Sequence, residues 1–210
     1  MLIGFHGRKQ AGKDTAYQRL TELFMHGSAH PVSVERVSFA DLLYRSAAAA
    51  LGVTVEELYR WKVDDTVRIA IQQWTDYGEG VWKTLHTLNF RQYLQYYGTE
   101  AHRDIFGSDF WVDAVDLRHD PHHFGASRFL VVTDVRFVNE AEAIREFGGT
   151  IVELVGPTEV EQAGDTHASE TPLPRELVDF VIDNSDRSDS FEALDNQLRS
   201  LVAELRRGEP

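Results

Sequence analysis

Cysteine is absent from this 210-residue chain, and long apolar runs are absent as well. Without a thiol, neither a disulfide scaffold nor a thiolate metal site can form. No apolar run approaches the ~20 residues that a membrane-spanning helix needs. A strand-like segment starts at Leu2 without a basic lead-in, so we expect no signal peptide, no membrane association and a cytoplasmic location.

Acidic side chains outnumber basic ones by 34 to 21, which gives a formal net charge of −13. All of this excess falls in residues 106–210, because residues 1–105 are balanced. Such a chain is a poor general binder of nucleic-acid polymers, which require a basic surface. Lysine is scarce, so arginine, the side chain suited to bidentate phosphate contacts, supplies most of the cations. The composition therefore allows a small phosphorylated ligand.

Strand-like and helix-like segments alternate along the chain, which predicts an α/β fold with a mainly parallel sheet flanked by helices. Thr54 and Glu57 match a capping box, and Asn89 is a candidate cap for a helix that runs to about residue 106. Residues 74–88 contain many aromatics and predict an irregular insertion or flap. The predicted strands are 2–6, 34–39, 129–133, 151–155 and 180–182, and the other predicted helices are 14–26, 41–51, 109–118, 139–147 and 191–205.

No linker rich in Gly, Ser or Pro divides the sequence. We therefore expect a single domain over residues 1–210. Its core comprises about 1–53 and 125–210, a helical region covers about 54–124, and an exposed polar loop spans about 156–175. The sequence is compatible with a homodimer and does not fix the number of subunits.

The strongest motif is the segment Gly7–Thr15, GRKQAGKDT, which matches G-x-x-x-x-G-K between a predicted strand and a predicted helix. Its glycines allow backbone N–H groups to face a phosphate, and the helix N-terminus adds partial positive charge. Lys13 is expected to reach the outer phosphates of a nucleoside triphosphate. The predicted ATP-binding residues of this loop are Gly7, Lys9, Ala11, Gly12, Lys13, Asp14 and Thr15.

Asp14 departs from the common motif, in which a Ser or Thr hydroxyl at this position binds Mg²⁺. An acid can hold Mg²⁺ through water, or it can orient Thr15, whose hydroxyl we expect to contact an inner phosphate. An acid in the first turn of a helix is also favoured by the helix dipole alone. These interpretations of Asp14 remain open at the level of sequence.

The G-x-x-x-x-G-K-D-T form resembles the phosphate loop of the bacteriophage deoxynucleoside monophosphate kinases. Residues 91–100 (RQYLQYYGTE) are similar to the R-x-x-L-Q-x-x-G-T segment of that family, and residues 129–136 (FLVVTDVR) to its strand ending in D-x-R. Residues 165–174 (DTHASETPLP) resemble its D-T-H-x-x-E…L-P loop, and residues 181–184 its last strand and Asn turn. The blocks fall in order over nearly the whole chain, whereas residues 54–88 have no counterpart.

The resemblance implies a nucleoside monophosphate kinase fold with a mobile acceptor-binding region and a lid at about 156–175. It also implies transfer of the γ-phosphoryl group of ATP to a deoxynucleoside monophosphate (dNMP), with Mg²⁺, to give a deoxynucleoside diphosphate and ADP. On this resemblance Lys13, Asp134 and Arg136 are catalytic, and Asn184 lines the adenine pocket. The implied dNMP-binding residues are Asp41, Arg91, Arg103, Asp134, Arg136, His167 and Glu170.

Each of these residues also has a purely structural interpretation. Asp134 follows a buried strand, where α/β sheets bind ligands, but it can instead cap the next helix. Asp41 can cap its own helix, and Arg91, Arg103 or Arg136 can be solvated surface residues. Residues 156–174 of the lid segment contain no Lys or Arg, and the first such residue, Arg175, lies at the end of the segment.

Three alternative functions remain. A kinase of the same architecture can use another phosphorylated acceptor, as dephospho-coenzyme A and phosphomevalonate kinases do. A P-loop switch or assembly ATPase would transfer nothing, although the N-K-x-D motif of a GTPase switch is absent. A non-enzymatic interaction domain leaves the phosphate loop unexplained.

Overall fold

The computed structural model describes residues 1–8, 10–27, 32–76, 81–117, 127–157, 172–185 and 190–207, apart from the side chains of 26, 27, 32, 73–76, 81, 82, 127 and 128. The chain divides into two compact units. The first unit joins Met1–Phe39 with Val115–Pro210, and the second is Ala40–Ala114.

The first unit contains a five-stranded sheet with the order β2-β5-β1-β6-β7. All neighbouring strands are parallel, which confirms the predicted α/β class. The carboxyl ends of the strands therefore meet at one edge of the sheet, where such folds bind ligands. The strands are β1 (Leu2–His6), β2 (Val32–Val37), β5 (Ser127–Val135), β6 (Thr150–Val155) and β7 (Phe180–Asp183).

The central parts of the interior strands are apolar because both faces of the sheet are covered. Every residue of β1 is buried, and Val131 and Val132 of β5 have no exposed surface. Parallel strands buried on both faces read as continuous apolar runs, which is why β5 was predictable from sequence. The helices of this unit are α1 (Lys13–Gly27), α7 (Val138–Glu146) and α8 (Glu192–Arg207).

Helix α8 confirms the helix predicted at 191–205. Leu194, Leu198 and Leu201 are buried in the same core cluster as β1 and α1. Arg19 of α1 holds α8 through Asp195, with 2.8 Å between Nε and Oδ1. The hydrogen bond from Arg19 lowers the pKa of Asp195. No helix among the described residues is long and apolar enough to cross a membrane.

The second unit contains helices and one β-hairpin. Its core cluster includes Tyr44, Leu58, Phe90 and Tyr93, all buried. The hairpin corrects the prediction that residues 54–124 are helical and that 74–88 are irregular. The elements are α2 (Ala40–Leu51), α3 (Val55–Trp61), β3 (Arg68–Asp76), β4 (Val81–Asn89), α4 (Phe90–Gly98), α5 (Asp104–Phe106) and α6 (Phe110–Asp113).

Strands β3 and β4 pair in antiparallel register from Arg68 opposite Asn89 to Asp76 opposite Val81. Much of this hairpin is exposed, with Leu85 at 63%. Ile69 at the base of the hairpin is buried, whereas residues 83–87 of β4 are all exposed. A strand segment that buries neither face has little reason to alternate apolar and polar residues, so the period-two signal is weak there. This is the physical reason that the sequence pattern suggested an irregular segment.

The predicted capping box at Thr54 and the predicted helix cap at Asn89 are both present in the second unit. Thr54 and Glu57 cap α3, and Asn89 and Gln92 cap α4 with reciprocal bonds of 3.0 and 2.8 Å. The helical path that starts at Asn89 reaches residue 106 as predicted, but a π-helical turn at Thr99–Arg103 interrupts it. The helix predicted at 109–118 is shorter, since α6 ends at Asp113.

Candidate active site

The phosphate loop leaves the carboxyl end of β1, a central strand of the sheet, and leads into α1 at Lys13. Gly7 has a φ of +147° and Gly12 a φ of +93°, a region that side chains with a Cβ rarely adopt. A Cβ at Gly7 would lie 2.5 Å from the Leu154 carbonyl oxygen of the neighbouring strand. The loop conformation therefore requires glycine at both motif positions.

Lys13 is folded back over the loop. Its Nζ donates hydrogen bonds to the carbonyl oxygens of Gly7 at 2.5 Å and Arg8 at 3.0 Å. The ammonium group is thus held at the loop, beside the N-terminus of α1. This is the position from which a lysine can meet the outer phosphates of a nucleotide that binds the loop N–H groups.

Asn184, which follows β7, is hydrogen-bonded to the backbone of the phosphate loop. Its Nδ2 donates a 2.9 Å hydrogen bond to the carbonyl oxygen of Ala11, and both residues are buried. A Cβ on Gly12 would lie 2.2 Å from the same Nδ2. Gly156, which directly follows β6, is also close to Ala11, since a Cβ on Gly156 would lie 2.8 Å from the Ala11 Cα.

Asp134 is the next-to-last residue of β5 and does not follow the strand as predicted, because the strand extends to Val135. Its two oxygens accept hydrogen bonds from the Ser38 hydroxyl at 2.7 Å and the Phe39 N–H at 3.1 Å. The carboxylate therefore joins the carboxyl ends of β5 and β2. The alternative role as cap of α7 is wrong, since Phe137 is the residue that precedes α7.

Arg36 of β2 connects the same strand ends to the phosphate loop. Its Nε donates a 2.9 Å hydrogen bond to Oγ1 of Thr133, a buried residue of β5. Its Nη2 lies 3.0 Å from Oδ1 of Asp14 in the first turn of α1. The sequence contains no local motif that predicts Arg36, Ser38 or Thr133 as site residues, because their proximity depends on the order of the strands in the sheet.

Arg136, half-buried, follows β5 immediately. Its backbone N–H donates a 2.7 Å hydrogen bond to Oε2 of Glu140, which also accepts from Phe137 at 3.1 Å. Glu140 thereby fixes the backbone at the start of α7. Arg136 belongs to the first unit, together with the loop and Asp134.

His6 is the last residue of β1 and is almost fully buried. Its Nδ1 lies 3.0 Å from the Val135 carbonyl oxygen, and its Nε2 lies 3.4 Å from the Leu173 backbone nitrogen. Both contacts are satisfied by a neutral ring that carries its proton on Nδ1. Burial lowers the pKa of His6, and the charges of Lys13 and Arg136 act in the same direction.

The predicted acceptor residues Asp41, Arg91 and Arg103 belong to the second unit. Asp41 is exposed in the first turn of α2, which begins at Ala40. Arg91 is exposed in the first turn of α4, and Arg103 is half-buried at the end of the π-helical turn. Among the aromatic residues near them, Tyr93 is buried and stacks on Tyr97 at 5.6 Å, so it packs this unit.

Three predicted site residues, Lys9, His167 and Glu170, lie outside the described residues, as does most of the predicted lid. Within the described ranges, no group of three or more His, Asp or Glu side chains comes together as a metal site. Asp14 and Thr15 still offer hard oxygen donors beside the loop. Such a set fits Mg²⁺, which uses one or two carboxylates together with waters and substrate phosphates.

A Gly-rich loop between a central parallel strand and a helix N-terminus, with a lysine held at the loop, defines a P-loop nucleotide-binding fold. Residues 30–197 match the profile of the deoxynucleotide monophosphate kinase family. The chain belongs to this family and is a nucleotide kinase. The match begins after the phosphate loop, so the loop and the family profile are separate observations that agree.

Individual relatives agree with the family assignment. The chain is 24% identical over 231 aligned positions to the deoxynucleoside-5′-monophosphate kinase of Escherichia phage T5, covering 88% of this chain and 89% of that protein. It is 28% identical to a protein of Acanthamoeba polyphaga mimivirus, covering 91% and 92%. A shorter match, 32% identical, covers 47% of this chain and 39% of the deoxynucleotide monophosphate kinase of Escherichia phage RB69.

Proposed function

We propose that this kinase transfers the γ-phosphoryl group of ATP to the 5′-phosphate of a deoxynucleoside monophosphate. The products are ADP and the deoxynucleoside diphosphate, a step in deoxynucleotide biosynthesis. Two observations support the proposal: a lysine-bearing phosphate loop at the ligand-binding edge of the sheet, and a family profile that matches residues 30–197.

The loop is the proposed ATP site. Its backbone N–H groups and the N-terminus of α1 would hold the phosphates, and Lys13 would move from the Gly7 and Arg8 carbonyls to the β- and γ-phosphates. Asn184 and Gly156 lie close to Ala11 and would thereby stabilise the conformation of the loop. Mg²⁺ would be held by Asp14 and Thr15 together with the ATP phosphates, and it would neutralise charge on the transferred group.

The acceptor needs no general base. A phosphate monoester has a second pKa of about 6, so most of a deoxynucleoside monophosphate is a dianion at pH 7. One of its oxygens can attack the γ-phosphorus directly, while the bond from that phosphorus to the oxygen bridging to the β-phosphorus breaks. The enzyme must therefore position two anions and offset their repulsion.

Arginine is suited to that task, because its planar guanidinium group binds phosphate with two parallel hydrogen bonds. We assign the acceptor phosphate to Arg91 and Arg103. Arg136, which follows β5 at the edge where the loop lies, is assigned to the transferring group. Asp41, His167 and Glu170 remain predicted contacts of the acceptor.

Asp134 is the proposed organiser of this edge. Since it accepts hydrogen bonds from Ser38 and Phe39, it fixes the connection that leads from β2 into α2. Loss of the Asp134 carboxylate would break its hydrogen bonds to Ser38 and Phe39 and leave the segment between β2 and α2 less well fixed. We therefore expect Asp134→Asn to retain more activity than Asp134→Ala, because an amide oxygen can still accept one of the two bonds.

The experiment is a coupled assay of ADP release by the purified chain with ATP, Mg²⁺ and each deoxy- and ribonucleoside monophosphate in turn. ADP release that requires a deoxynucleoside monophosphate, together with formation of the matching diphosphate, supports the proposal. Release of equal size without any acceptor would identify a non-transferring ATPase. Dephospho-coenzyme A and phosphomevalonate are tested in the same series. Phosphoryl transfer to one of these alone would show that the enzyme is a kinase for another acceptor.

A further inference from the structure

The guanidinium group of Arg36 is fixed at two points, on two different elements of the first unit. Nε donates to Thr133 of β5 at 2.9 Å, and Nη2 meets Oδ1 of Asp14 at 3.0 Å. Thr133 is 3% exposed, so the anchor for Nε is a buried hydroxyl on a central part of the sheet. Arg36 therefore reaches Asp14 from a rigid base.

The ion pair between Arg36 and Asp14 is not expected to contribute much to the free energy of unfolding. The side chains of Arg36 and Asp14 are 51% and 74% exposed, and ion pairs in such surroundings contribute little to folding. The position of Asp14 is the more informative feature, because it directly follows Lys13 in the phosphate loop. A carboxylate there repels the phosphates that the loop attracts, unless a cation offsets it.

We propose that Arg36 is a positioning residue for phosphoryl transfer that acts through Asp14. The positive charge of Arg36 reduces the repulsion between the Asp14 carboxylate and the ATP phosphates. Its planar guanidinium group also sets the orientation of that carboxylate. The contact engages Oδ1, which leaves the second oxygen of Asp14 for Mg²⁺ or a water bound to it. The inference rests on the proposed ATP site and adds a residue that the loop motif does not contain.

Carboxylate ligands of metals are commonly oriented by such outer partners, whose removal weakens metal affinity or activity about 10- to 100-fold. Here the partner comes from β2, two strands away from β1 in the sheet order. Arg36 thus explains how a loop with an acid in place of the usual hydroxyl remains a phosphate site. On this inference, the aspartate at position 14 functions in the phosphate loop only together with Arg36.

The test measures ATP binding by titration calorimetry in EDTA, and the Mg²⁺ concentration for half-maximal transfer, in a set of variants. Arg36→Gln is expected to weaken metal-free ATP binding about tenfold, because a positive charge near the phosphates is lost. Asp14→Asn is expected to strengthen it, because the repelling charge is gone and Arg36 remains. In the double variant Arg36→Gln with Asp14→Asn, the loss of ATP affinity caused by Arg36→Gln should largely vanish, because the two residues act together.

Arg36→Lys separates charge from geometry. A lysine restores the positive charge but cannot bond Thr133 and Asp14 with a planar fork. We expect near-normal metal-free ATP binding and a several-fold higher Mg²⁺ requirement. Arg145→Gln is the matched control, because Arg145 also has two contacts in this unit, with Asp179 and the Glu176 carbonyl, and it should change neither quantity.

Wild-type ATP binding for Arg36→Gln, or a loss that is the same with and without the Asp14 charge, would overturn the inference. A wild-type protein that binds no ATP would instead contradict the proposed ATP site. If Arg36→Gln does not fold, Asp14→Asn and Arg36→Lys still decide the question. Asp14→Asn must bind metal-free ATP more tightly than the wild type, and an unchanged affinity is a contrary result.

Discussion

The side-chain amide of Asn184 donates a hydrogen bond of 2.9 Å to the carbonyl oxygen of Ala11, a residue of the phosphate loop 173 positions earlier. Ala11 is 1% exposed and Asn184 is 7% exposed, so water has little access to this bond. The last strand of the sheet is thereby connected to the loop that begins after the first strand. The shape of the loop thus depends on a residue near the C-terminus.

Asn184→Ala should destabilise the fold and weaken ATP binding. The substitution leaves a buried carbonyl without its partner, which costs roughly 1–3 kcal/mol in the free energy of unfolding. Urea unfolding and the KM for ATP measure the two effects. Asn196→Ala, at an exposed position of α8, is the matched control and should change neither. Equal stability of both variants would show that the bond to Ala11 contributes nothing.

Asp14→Ser is expected to retain Mg²⁺-dependent activity, because a hydroxyl at this position holds the metal in the common loop motif. Asp14→Ala removes both oxygen ligands and the partner of Arg36, so it should lose more. Steady-state assays over a range of Mg²⁺ concentrations compare the two. If Ser and Ala are equally damaging in folded proteins, the carboxylate has a role other than metal binding.

Arg91→Ala and Arg136→Ala should have different kinetic effects. An arginine that grips the acceptor phosphate in ground state and transition state alike mainly raises the acceptor KM, whereas one that meets the transferring group lowers kcat. We expect the first pattern for Arg91 and the second for Arg136, each by about 10- to 100-fold, as a lost charged hydrogen bond implies.

The KM for ATP should stay nearly constant in both variants, since the phosphate loop holds that substrate separately. Arg60→Ala, at an exposed position of α3, serves as the control in the second unit. Acceptor kinetics indistinguishable from those of Arg60→Ala would remove Arg91 and Arg136 from the site.

His6 should make stability depend on pH below its ordinary pKa. Burial lowers the pKa of the folded-state ring, so the unfolded chain takes up its proton first as the pH falls below about 6.5. The free energy of unfolding then decreases with falling pH, by at most about 1.4 kcal/mol per pH unit for this one proton, until the folded-state pKa is reached.

Urea unfolding at pH 7.5 and 5.5 measures this effect. His6→Asn, whose amide can donate to the Val135 carbonyl in place of Nδ1, should show a smaller difference between the two pH values than the wild type. His86→Asn, at an exposed position of β4, should keep the wild-type difference. A wild-type difference that persists in His6→Asn would assign the pH dependence to other groups.

Local signals predicted the parts of this molecule that local physics determines. The glycine loop, the uninterrupted apolar run of β5, the capping box at Thr54 and the helix cap at Asn89 each require only neighbouring residues. The hairpin of β3 and β4 was missed because most of β4 is exposed and carries little hydrophobic periodicity. The pairing of Arg36 with Asp14 was missed because it depends on which strands lie side by side.

Phosphoryl transfer at this loop is expected to depend most on Lys13, whose Nζ is held at the carbonyls of Gly7 and Arg8. The direct measurement is the kcat for ADP release with ATP, Mg²⁺ and a good deoxynucleoside monophosphate, in the wild type and in Lys13→Ala, with the fold of both checked by thermal unfolding. We expect the wild type to transfer the phosphoryl group and Lys13→Ala to lose at least about two orders of magnitude in rate, as removal of a charge stabiliser of the transition state implies. Near-normal turnover by a folded Lys13→Ala protein would contradict the assignment of this loop as the site of phosphoryl transfer.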